Sequence, residues 1–360
     1  MKKIYMIAGE PSGDFLGAKI MQKVSQIENV KVFGVGGDLM KCAGLDSLIN
    51  IEQISVGGIA EIVPHIFAIK RLIEYVAENI VETKPDILLT IDSPGFCFRV
   101  AKIVRRKDPS IKLVHFVAPS VWAWRPKRAK KLAELYDHLL TLFDFEPPYF
   151  TKYGLKTTFV GHPAIDEFEQ NNVPKQDLLL VLPGSRKQEV KTLLPIFLET
   201  LKYLSFERIV IPTLPNLTNL VSSIAREDNV EIVSNEMQKK ELFQRAKCAI
   251  VASGTATLQL ALSGCPMVCC YKLSPLTYHI VKSLIKTKYI SLVNIILDRC
   301  VIPELIQNEC TPEKIADAVN TLGTQEQTDS FIKLRERLYS DISPSQKIAN
   351  VLLDYMGSNT

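Results

Sequence analysis

Short apolar runs alternate with longer amphipathic segments along most of the chain. The short runs are bounded by turn-forming residues, which is typical of buried strands, and the longer segments have helical periodicity. In the first half, strands are predicted at 3–8, 30–35, 86–91, 112–117, 138–142 and 157–160. Helices are predicted between them at 14–27, 61–80, 96–107 and 126–135. In the second half, strands are predicted at 178–182, 208–211, 230–233, 248–252 and 266–271.

This alternation predicts parallel sheets with helices on both faces. A chain of 360 residues exceeds the usual size of a single core, so two domains are expected. A polar stretch at 166–177 interrupts the pattern. We therefore predict an α/β protein with two Rossmann-like domains facing a central cleft. Its parts are a domain at 1–165, a linker at 166–177, a second domain at 178–340, and a C-terminal helix at 341–360 that packs on the first domain or on a partner subunit.

Composition narrows the class of protein. Apolar residues make up 47% and charged residues 23% of the chain, which is ordinary for a globular protein. The net charge of +4 does not by itself argue for nucleic acid, although basic residues cluster between 125 and 131. None of the eight cysteines forms a Cys-x-x-Cys pair, which favours reduced, buried thiols over zinc or disulfides. The first apolar run stops at Glu10, too early for a signal peptide, and the sequence predicts a cytosolic protein that can still lie against a membrane.

Two acids lie where strands of the first half end. Asp92 closes the apolar run 86–91 directly before Ser93 and Pro94, and such strand ends collect the chemistry of α/β folds. Glu10 lies in the loop 8–14 (AGEPSGD), and Pro11 separates it from the next helix. Asp92 could instead be an Asx-turn residue, and Asp14 could cap or charge the first turn of its helix. No Gly-x-Ser-x-Gly motif accompanies the serines, so a hydrolase triad is not expected.

Two loops of the second half suit phosphate. Segments 182–186 (LPGSR) and 252–257 (ASGTAT) place small residues between a strand and a helix. Free N–H groups and the dipole at a helix N-terminus attract phosphate, and Arg186 adds a forked cationic donor. Either loop alone could be a plain turn with a solvated arginine, but two in one domain favour a phosphate site. Neither loop matches the P-loop, and the glycines near the N-terminus do not form the dinucleotide fingerprint.

Both tryptophans of the chain, Trp122 and Trp124, lie in the loop 119–125 (PSVWAWR). Indole rings followed by arginines suit a sugar, a phosphate or an interface, whereas core packing of one ring and a solvated basic helix face are the alternatives.

The segment 54–69 is apolar despite its two glycines and its proline, and it ends at Lys70 and Arg71. An interfacial membrane element and an ordinary buried helix fit this pattern equally well. The apolar face predicted to contact a membrane consists of Ile62, Val63, Ile66, Phe67 and Ile69.

Ordered motifs over nearly the whole chain resemble the lipid-A-disaccharide synthase family, glycosyltransferases of the two-Rossmann-domain (GT-B) type. The most specific motifs are AGEPSGD at 8–14 and PSVWAWR at 119–125. The others are IDSPGF at 91–96, FVGHP at 159–163, LPGSR at 182–186, ASGTATL at 252–258, PMV at 266–268, YISLVN at 289–294 and PELIQ at 303–307.

The resemblance implies a reaction and its partners. UDP-2,3-diacylglucosamine and 2,3-diacylglucosamine 1-phosphate (lipid X) would give the β-1,6-linked disaccharide phosphate and UDP. It also implies peripheral association with the cytoplasmic face of the inner membrane, no nucleic acid and no cofactor, with a homodimer left open. No Asp-x-Asp motif is present, as expected of a metal-independent transferase. The alternatives are a UDP-sugar 2-epimerase of the same fold and a non-catalytic lipid-binding protein.

The resemblance assigns roles to individual residues. Asp92 is expected to be the base that deprotonates the acceptor 6-hydroxyl, with Glu10 as a neighbouring acid. Gln259 and Val293 stand where the family often has Glu and Pro, so Gln259 would meet a ribose hydroxyl as a neutral group. The expected donor-binding residues are Gly184, Ser185, Arg186, Ser253, Gly254, Thr255, Gln259, Lys272, Asn294, Glu304 and Gln307. The expected acceptor-binding residues are Ser12, Gly13, Ser120, Trp122 and Arg125.

Overall fold

A computed structural model describes residues 1–27, 29–54, 66–168, 173–226 and 229–357 of the chain. It divides into two compact units. The first unit combines Met1–Pro163 with Ser340–Thr360, and the second is Ala164–Tyr339. The expected α/β class with two Rossmann-like domains is confirmed.

The first unit contains a six-stranded sheet in the order β2-β1-β3-β4-β5-β6, and all of its pairings are parallel. Its central strands are buried on both faces, which explains their nearly continuous apolar sequence. The strands are β1 (Lys2–Ala8), β2 (Val30–Val35), β3 (Ile87–Ile91), β4 (Lys112–Phe116), β5 (His138–Thr141) and β6 (Lys156–Phe159).

The strand order determines where a ligand site is expected in this sheet. The chain leaves β1 towards β2 on one side and then returns to β3 on the other side of β1. The carboxyl ends of β1 and β3 therefore flank the crossover point, the usual ligand position in open α/β sheets. The loops that leave these two ends carry Glu10 and Asp92.

Helices cover both faces of this sheet. Helix α1 begins at Pro11, since proline suits the first helical turn, and its buried face includes Ile20, Met21 and Val24. The helices of this part are α1 (Pro11–Val24), α2 (Asp38–Cys42), α3 (Ile66–Thr83), α4 (Pro94–Lys107), α5 (Arg128–Ala133) and α6 (Pro148–Thr151).

The second unit also contains a six-stranded parallel sheet, in the order β12-β11-β10-β7-β8-β9. Here the crossover point lies between β7 and β10, whose following loops are 183–186 and 253–254. The strands are β7 (Gln176–Leu182), β8 (Arg208–Pro212), β9 (Glu231–Val233), β10 (Ala246–Ala252), β11 (Met267–Tyr271) and β12 (Glu304–Ile306).

Two details differ from the predicted pattern. Strand β12 was not predicted, because its three residues pair only with β11 at the sheet edge and have no distinctive local pattern. The stretch 166–177 is not a uniform linker, because helix α7 reaches Glu167 and strand β7 starts at Gln176. The helices of the second unit are α7 (Ala164–Glu167), α8 (Lys187–Thr200), α9 (Thr218–Ile224), α10 (Glu236–Arg245), α11 (Thr255–Leu262), α12 (Pro275–Leu284), α13 (Leu292–Leu297), α14 (Pro312–Asn320) and α15 (Thr324–Leu338).

The last helix, α16 (Pro344–Gly357), returns to the first unit and packs against α1. Its buried residues Ile348, Leu352 and Met356 belong to the same apolar cluster as Ile4 and Val24. This helix thus completes the core on one face of the first sheet. Within the described ranges, no helix combines the length and apolarity needed to cross a bilayer.

Candidate active site

The loop after β3 and the loop after β1 form an acidic cluster in the first unit. The hydroxyl of Ser93 donates to Oε1 of Glu10 at 3.2 Å. Asp92 is half-buried, and its backbone N–H donates to the carbonyl of Phe116 at 2.9 Å. The structure thus brings together the two acids that the sequence singled out, at the crossover point of the first sheet.

Two consecutive residues of this loop have left-handed backbone conformations. The φ angles of Asp92 and Ser93 are 50° and 46°. Asp tolerates this region better than most residues, whereas Ser has no such advantage, and backbone strain of this kind often marks functional loops. Pro94 then starts α4. The chain thus turns abruptly at Asp92 and Ser93, between the end of β3 and the start of α4.

The pKa of Asp92 is raised above its ordinary value, mainly because burial disfavours the charged carboxylate. The nearby charge of Glu10 raises it further. Hydrogen bonds from the Ser93 backbone and the Ser12 hydroxyl act in the opposite direction. A carboxyl group with a raised pKa is a better proton acceptor than an ordinary exposed Asp, which suits a general base.

The first turn of α1 has two distinct roles. Ser12 contacts Asp92, and Gly13 packs so closely that a Cβ there would lie 3.3 Å from the carbonyl oxygen of Ile91. Asp14 faces elsewhere: its carboxylate accepts the N–H groups of Gly37, Leu39 and Met40. Asp14 lies in the first turn of its own helix, as expected, but its carboxylate caps α2 instead of α1.

The loop after β4 presents aromatic and basic side chains. Trp122 is half-buried and donates its indole N–H to Glu146 at 3.1 Å. Trp124 is 40% exposed, and the guanidinium of Arg125 lies 4.0 Å from its ring centroid. Arg125 adopts a φ of 51°, and Ser120 is exposed at the start of the turn. One tryptophan is thus anchored while the other carries a stacked arginine.

The crossover point of the second sheet opens into a cavity of about 420 Å³. Seven of the expected donor-binding residues line it: Gly184, Ser185, Arg186, Ser253, Gly254, Thr255 and Gln259. Pro212, Leu214 and Lys239 form another part of the wall, and no sequence motif indicates them. Pro212 ends β8, Leu214 follows it, and Lys239 lies on α10, so only the tertiary structure brings them to the cavity.

The side chain of Glu189 binds backbone N–H groups of the loop 184–186. Glu189 accepts the N–H groups of Ser185 at 3.1 Å and Arg186 at 3.2 Å, and it forms an ion pair with the Arg186 guanidinium. Gly184 has a φ of 114°, and a Cβ there would lie 2.5 Å from the Glu189 carboxylate. Glycine is required at this position for both reasons. The side chain of Arg186 remains 79% exposed.

The N-terminus of α11 is more open than that of α8. Its N-cap residue is Gly254, which has no side chain to cap the first turn. Among the described residues, no atom lies within 4 Å of a Cβ built on Gly254. Backbone N–H groups at this end and the helix dipole favour a negative group in the cavity.

Asn294 and Glu304 were expected at the donor site, but they are not among the described residues that line the cavity. Asn294 is fully buried, and its amide bonds Val301, Ile302 and Glu304. Glu304 also accepts the backbone N–H groups of Ile290 and Ser291. Because the hydroxyl of Ser253 donates to the Ile290 carbonyl, this network supports the cavity wall from behind.

Gln307 and Lys272 also lie outside the described cavity lining. The amide of Gln307 makes two hydrogen bonds to the backbone of Leu273, from a residue with a φ of 56°. Lys272 follows β11 and is half-buried. Direct donor contacts by these residues remain predictions.

The expected membrane-contacting residues are only partly described. Ile62 and Val63 lie outside the described residues, and for Ile66 the structure describes only the helical backbone at the start of α3. Phe67 is 79% exposed, next to exposed Lys70 and Arg71. Ile69, in contrast, packs partly against the core of the first unit.

Comparison with known proteins identifies similar chains. Residues 4–349 match the family model described as Lipid-A-disaccharide synthetase. The lipid-A-disaccharide synthase of Rhodospirillum centenum is 38% identical over 98% of this chain and 94% of that protein. The protein of the same name from Rickettsia bellii is 41% identical over 89% of both chains.

Solved structures with much lower identity share the fold. The MurG structure from Acinetobacter baumannii aligns with a TM-score of 0.60 at 15% identity, over 98% of this chain and 100% of that chain. The UDP-GlcNAc 2-epimerase of Neisseria meningitidis bound to UDP-GlcNAc aligns with a TM-score of 0.63 at 12% identity, over 100% of both chains.

Proposed function

Because the chain belongs to the lipid-A-disaccharide synthase family, we propose that it is an inverting glycosyltransferase that joins two acylated glucosamine units. The donor is UDP-2,3-diacylglucosamine and the acceptor is lipid X. The products are the β-1,6-linked disaccharide 1-phosphate and UDP.

The observation that carries this proposal is the Asp92 carboxylate at the crossover point of the first sheet. Its pKa is raised by burial and by Glu10, and its loop has a constrained backbone. In the proposed reaction Asp92 accepts the proton of the acceptor 6-hydroxyl as that oxygen attacks the anomeric carbon. Glu10 keeps the pKa of Asp92 high, and Ser12 orients its carboxylate.

The cavity of the second unit supplies the complementary chemistry. Departure of UDP leaves negative charge on the diphosphate, which must be neutralised in the transition state. Arg186 and the N-terminus of α11 are the groups proposed to do this, without a metal. Gln259 lies in the same cavity wall and is proposed to bond a ribose hydroxyl.

The proposal includes peripheral contact with the cytoplasmic face of the inner membrane, because both substrates carry acyl chains. The start of α3 supports it, since Phe67 is exposed beside two cations. Ile69 packs partly against the core of the first unit, so Phe67 is the described residue that supports the contact most directly.

The direct test incubates the purified full chain with radiolabelled lipid X and UDP-2,3-diacylglucosamine. Formation of the labelled disaccharide phosphate, in amounts equal to the UDP released and unaffected by EDTA, is expected. Conversion of UDP-GlcNAc alone to its 2-epimer would instead identify an epimerase. Binding of lipid X without any product would identify a non-catalytic lipid-binding protein.

A further inference from the structure

The carboxylate of Glu146 joins two loops at the carboxyl edge of the first sheet. Its Oε1 atom accepts the indole N–H of Trp122 at 3.1 Å. Its Oε2 atom accepts the backbone N–H groups of Leu142 at 3.2 Å and Phe143 at 3.1 Å. One side chain therefore ties the loop after β4 to the loop after β5.

Glu146 is only 2% exposed. Burial raises its pKa to about 7, and its hydrogen bonds to Trp122 and to the backbone act in the opposite direction. A buried carboxylate is costly unless its oxygens are hydrogen-bonded, and here three N–H donors meet that need. All three partners of the Glu146 side chain are N–H donors, so its oxygens act as hydrogen-bond acceptors.

Aromatic contacts fix the plane of the Trp122 ring as well. Trp122 packs edge-to-face on Phe145, with 5.4 Å between ring centroids. Phe145 stacks on Phe143 at 5.5 Å, and Phe143 stacks on His162 at 5.6 Å. The stack runs from the loop after β4 to the loop after β6, so the Trp122 ring is held on two sides.

Arg125 directly follows a hydrogen-bonded turn in the same loop. The N–H groups of Ala123 and Trp124 both donate to the carbonyl of Ser120, which makes 120–124 one compact turn. Arg125 follows with its guanidinium stacked on Trp124. Because Trp122 lies inside this turn, holding Trp122 in place also holds the backbone from which Arg125 extends.

We propose that Glu146 is a positioning residue for the acceptor: acting through Trp122, it holds the loop 119–125 so that its aromatic and cationic side chains can bind the sugar phosphate. The inference rests on the proposed transferase function and on the acceptor-binding role that the family resemblance predicts for Ser120, Trp122 and Arg125. Glu146 does not touch the reacting atoms in this account. Its effect is on acceptor affinity.

Three variants separate this role from simple support of the fold. Glu146→Gln keeps the size of the side chain but turns an NH₂ group towards either the indole N–H or the two backbone N–H groups. Trp122→Phe keeps a ring in the stack and removes the indole donor. In the double variant Glu146→Gln/Trp122→Phe, no indole N–H is present. The NH₂ group of the glutamine can then face the phenyl ring without meeting another donor.

Acceptor and donor KM values are measured for the full chain with lipid X and UDP-2,3-diacylglucosamine. Glu146→Gln is expected to raise the acceptor KM by about tenfold, the effect of one buried hydrogen bond to a charged group, with the donor KM unchanged. Trp122→Phe should have a smaller effect, and the double variant should bind the acceptor better than Glu146→Gln alone. An unchanged acceptor KM, or equal changes in both KM values, overturns the proposal. Exposed Glu134→Gln in the same unit is the matched control.

Fluorescence provides a readout that does not depend on activity. In a Trp124→Phe background, Trp122 is the only tryptophan of the chain. Adding Glu146→Gln to that background is expected to increase quenching of Trp122 by acrylamide, and unchanged quenching overturns the positioning role. If the wild-type chain makes no disaccharide while quenching increases, the proposed function fails and the link between Glu146 and Trp122 stands. If Glu146→Gln does not fold, Trp122→Phe decides the question, since an unchanged acceptor KM in that variant overturns the proposal.

Discussion

The acidic cluster of the first unit and the cavity of the second unit occupy equivalent positions in their sheets. Each lies where two neighbouring parallel strands end and the chain has crossed from one side to the other, β1 with β3 and β7 with β10. Their chemistry is opposite. The first position holds Glu10 and Asp92, whereas the second holds Arg186 and an uncapped helix N-terminus.

This difference shows that the fold supplies a position and the loop supplies the chemistry. In the first unit, Asp92 and Ser93 both have positive φ, so a carboxylate lies in an abrupt turn at the end of the strand. In the second unit, Gly254 leaves room beside the backbone, whereas Gly184 lets Glu189 approach the loop closely. The proposed proton acceptor and the proposed anion site thus lie at equivalent positions of the same topology.

Asp92→Asn removes a charge from the acidic cluster of the first unit and is expected to have the largest effect. Turnover should fall by about 10²–10⁴-fold, the usual range for a lost general base, while donor binding is kept. Asn also tolerates positive φ, so the variant removes the charge without adding backbone strain. Steady-state kinetics and circular dichroism check this, with exposed Asp38→Asn as control. Near-normal turnover would exclude Asp92 as the base.

Arg186→Ala removes the guanidinium group from the cavity of the second unit. It should lower kcat/KM for the donor by about 10- to 100-fold, since it removes a charged hydrogen-bond donor beside the diphosphate. UDP affinity, measured by calorimetry, should fall as well. Arg226→Ala, an exposed arginine of the same unit, should change neither value. If UDP binding and rate both survive in Arg186→Ala, the guanidinium serves only its ion pair with Glu189.

Phe67→Ser tests whether the first unit alone carries a lipid-facing surface. Removing one large exposed apolar side chain should weaken binding to anionic vesicles by about tenfold, as expected when its burial in lipid is lost. Turnover on short-chain substrates should change little. Vesicle sedimentation provides the measurement, and Met237→Ser, an exposed apolar residue of the second unit, is the control. Equal vesicle binding by wild type and Phe67→Ser would contradict the membrane role of this residue.

Glu10→Gln removes the second charge of the acidic cluster and is expected to have the smallest effect. The charge of Glu10 raises the pKa of Asp92, so its removal should lower that pKa. Because the ionised form of Asp92 is the active one, the acid limb of the kcat/KM profile should move to lower pH. The pH profile of Glu82→Gln, an exposed acid of the same unit, should match that of the wild type. A limb that stays in place would mean that the two carboxylates do not interact.

Local pattern was sufficient for most of the secondary structure and for the position of the acids. All eleven predicted strands are present, because buried parallel strands need continuous apolar sequence between turn residues. Asp92 was recognisable for the same reason, as the carboxylate at the end of such a run. The cavity loops were recognisable from their glycines. Strand β12 was missed because its pairing with β11 is its main distinguishing feature.

The sequence alone determined the α/β class, the two sheets and the loops that carry charged residues at strand ends. Tertiary structure decided which partner each polar side chain has. Asp14 caps a helix through the N–H group of a residue 25 positions away. Glu146 accepts a hydrogen bond from an indole 24 residues away. The amide of Asn294 donates to a backbone carbonyl behind the cavity. Strand and helix signals depend on neighbours in the chain, so they can be read locally. Hydrogen bonds between loops depend on strand order, because only the sheet brings their residues together.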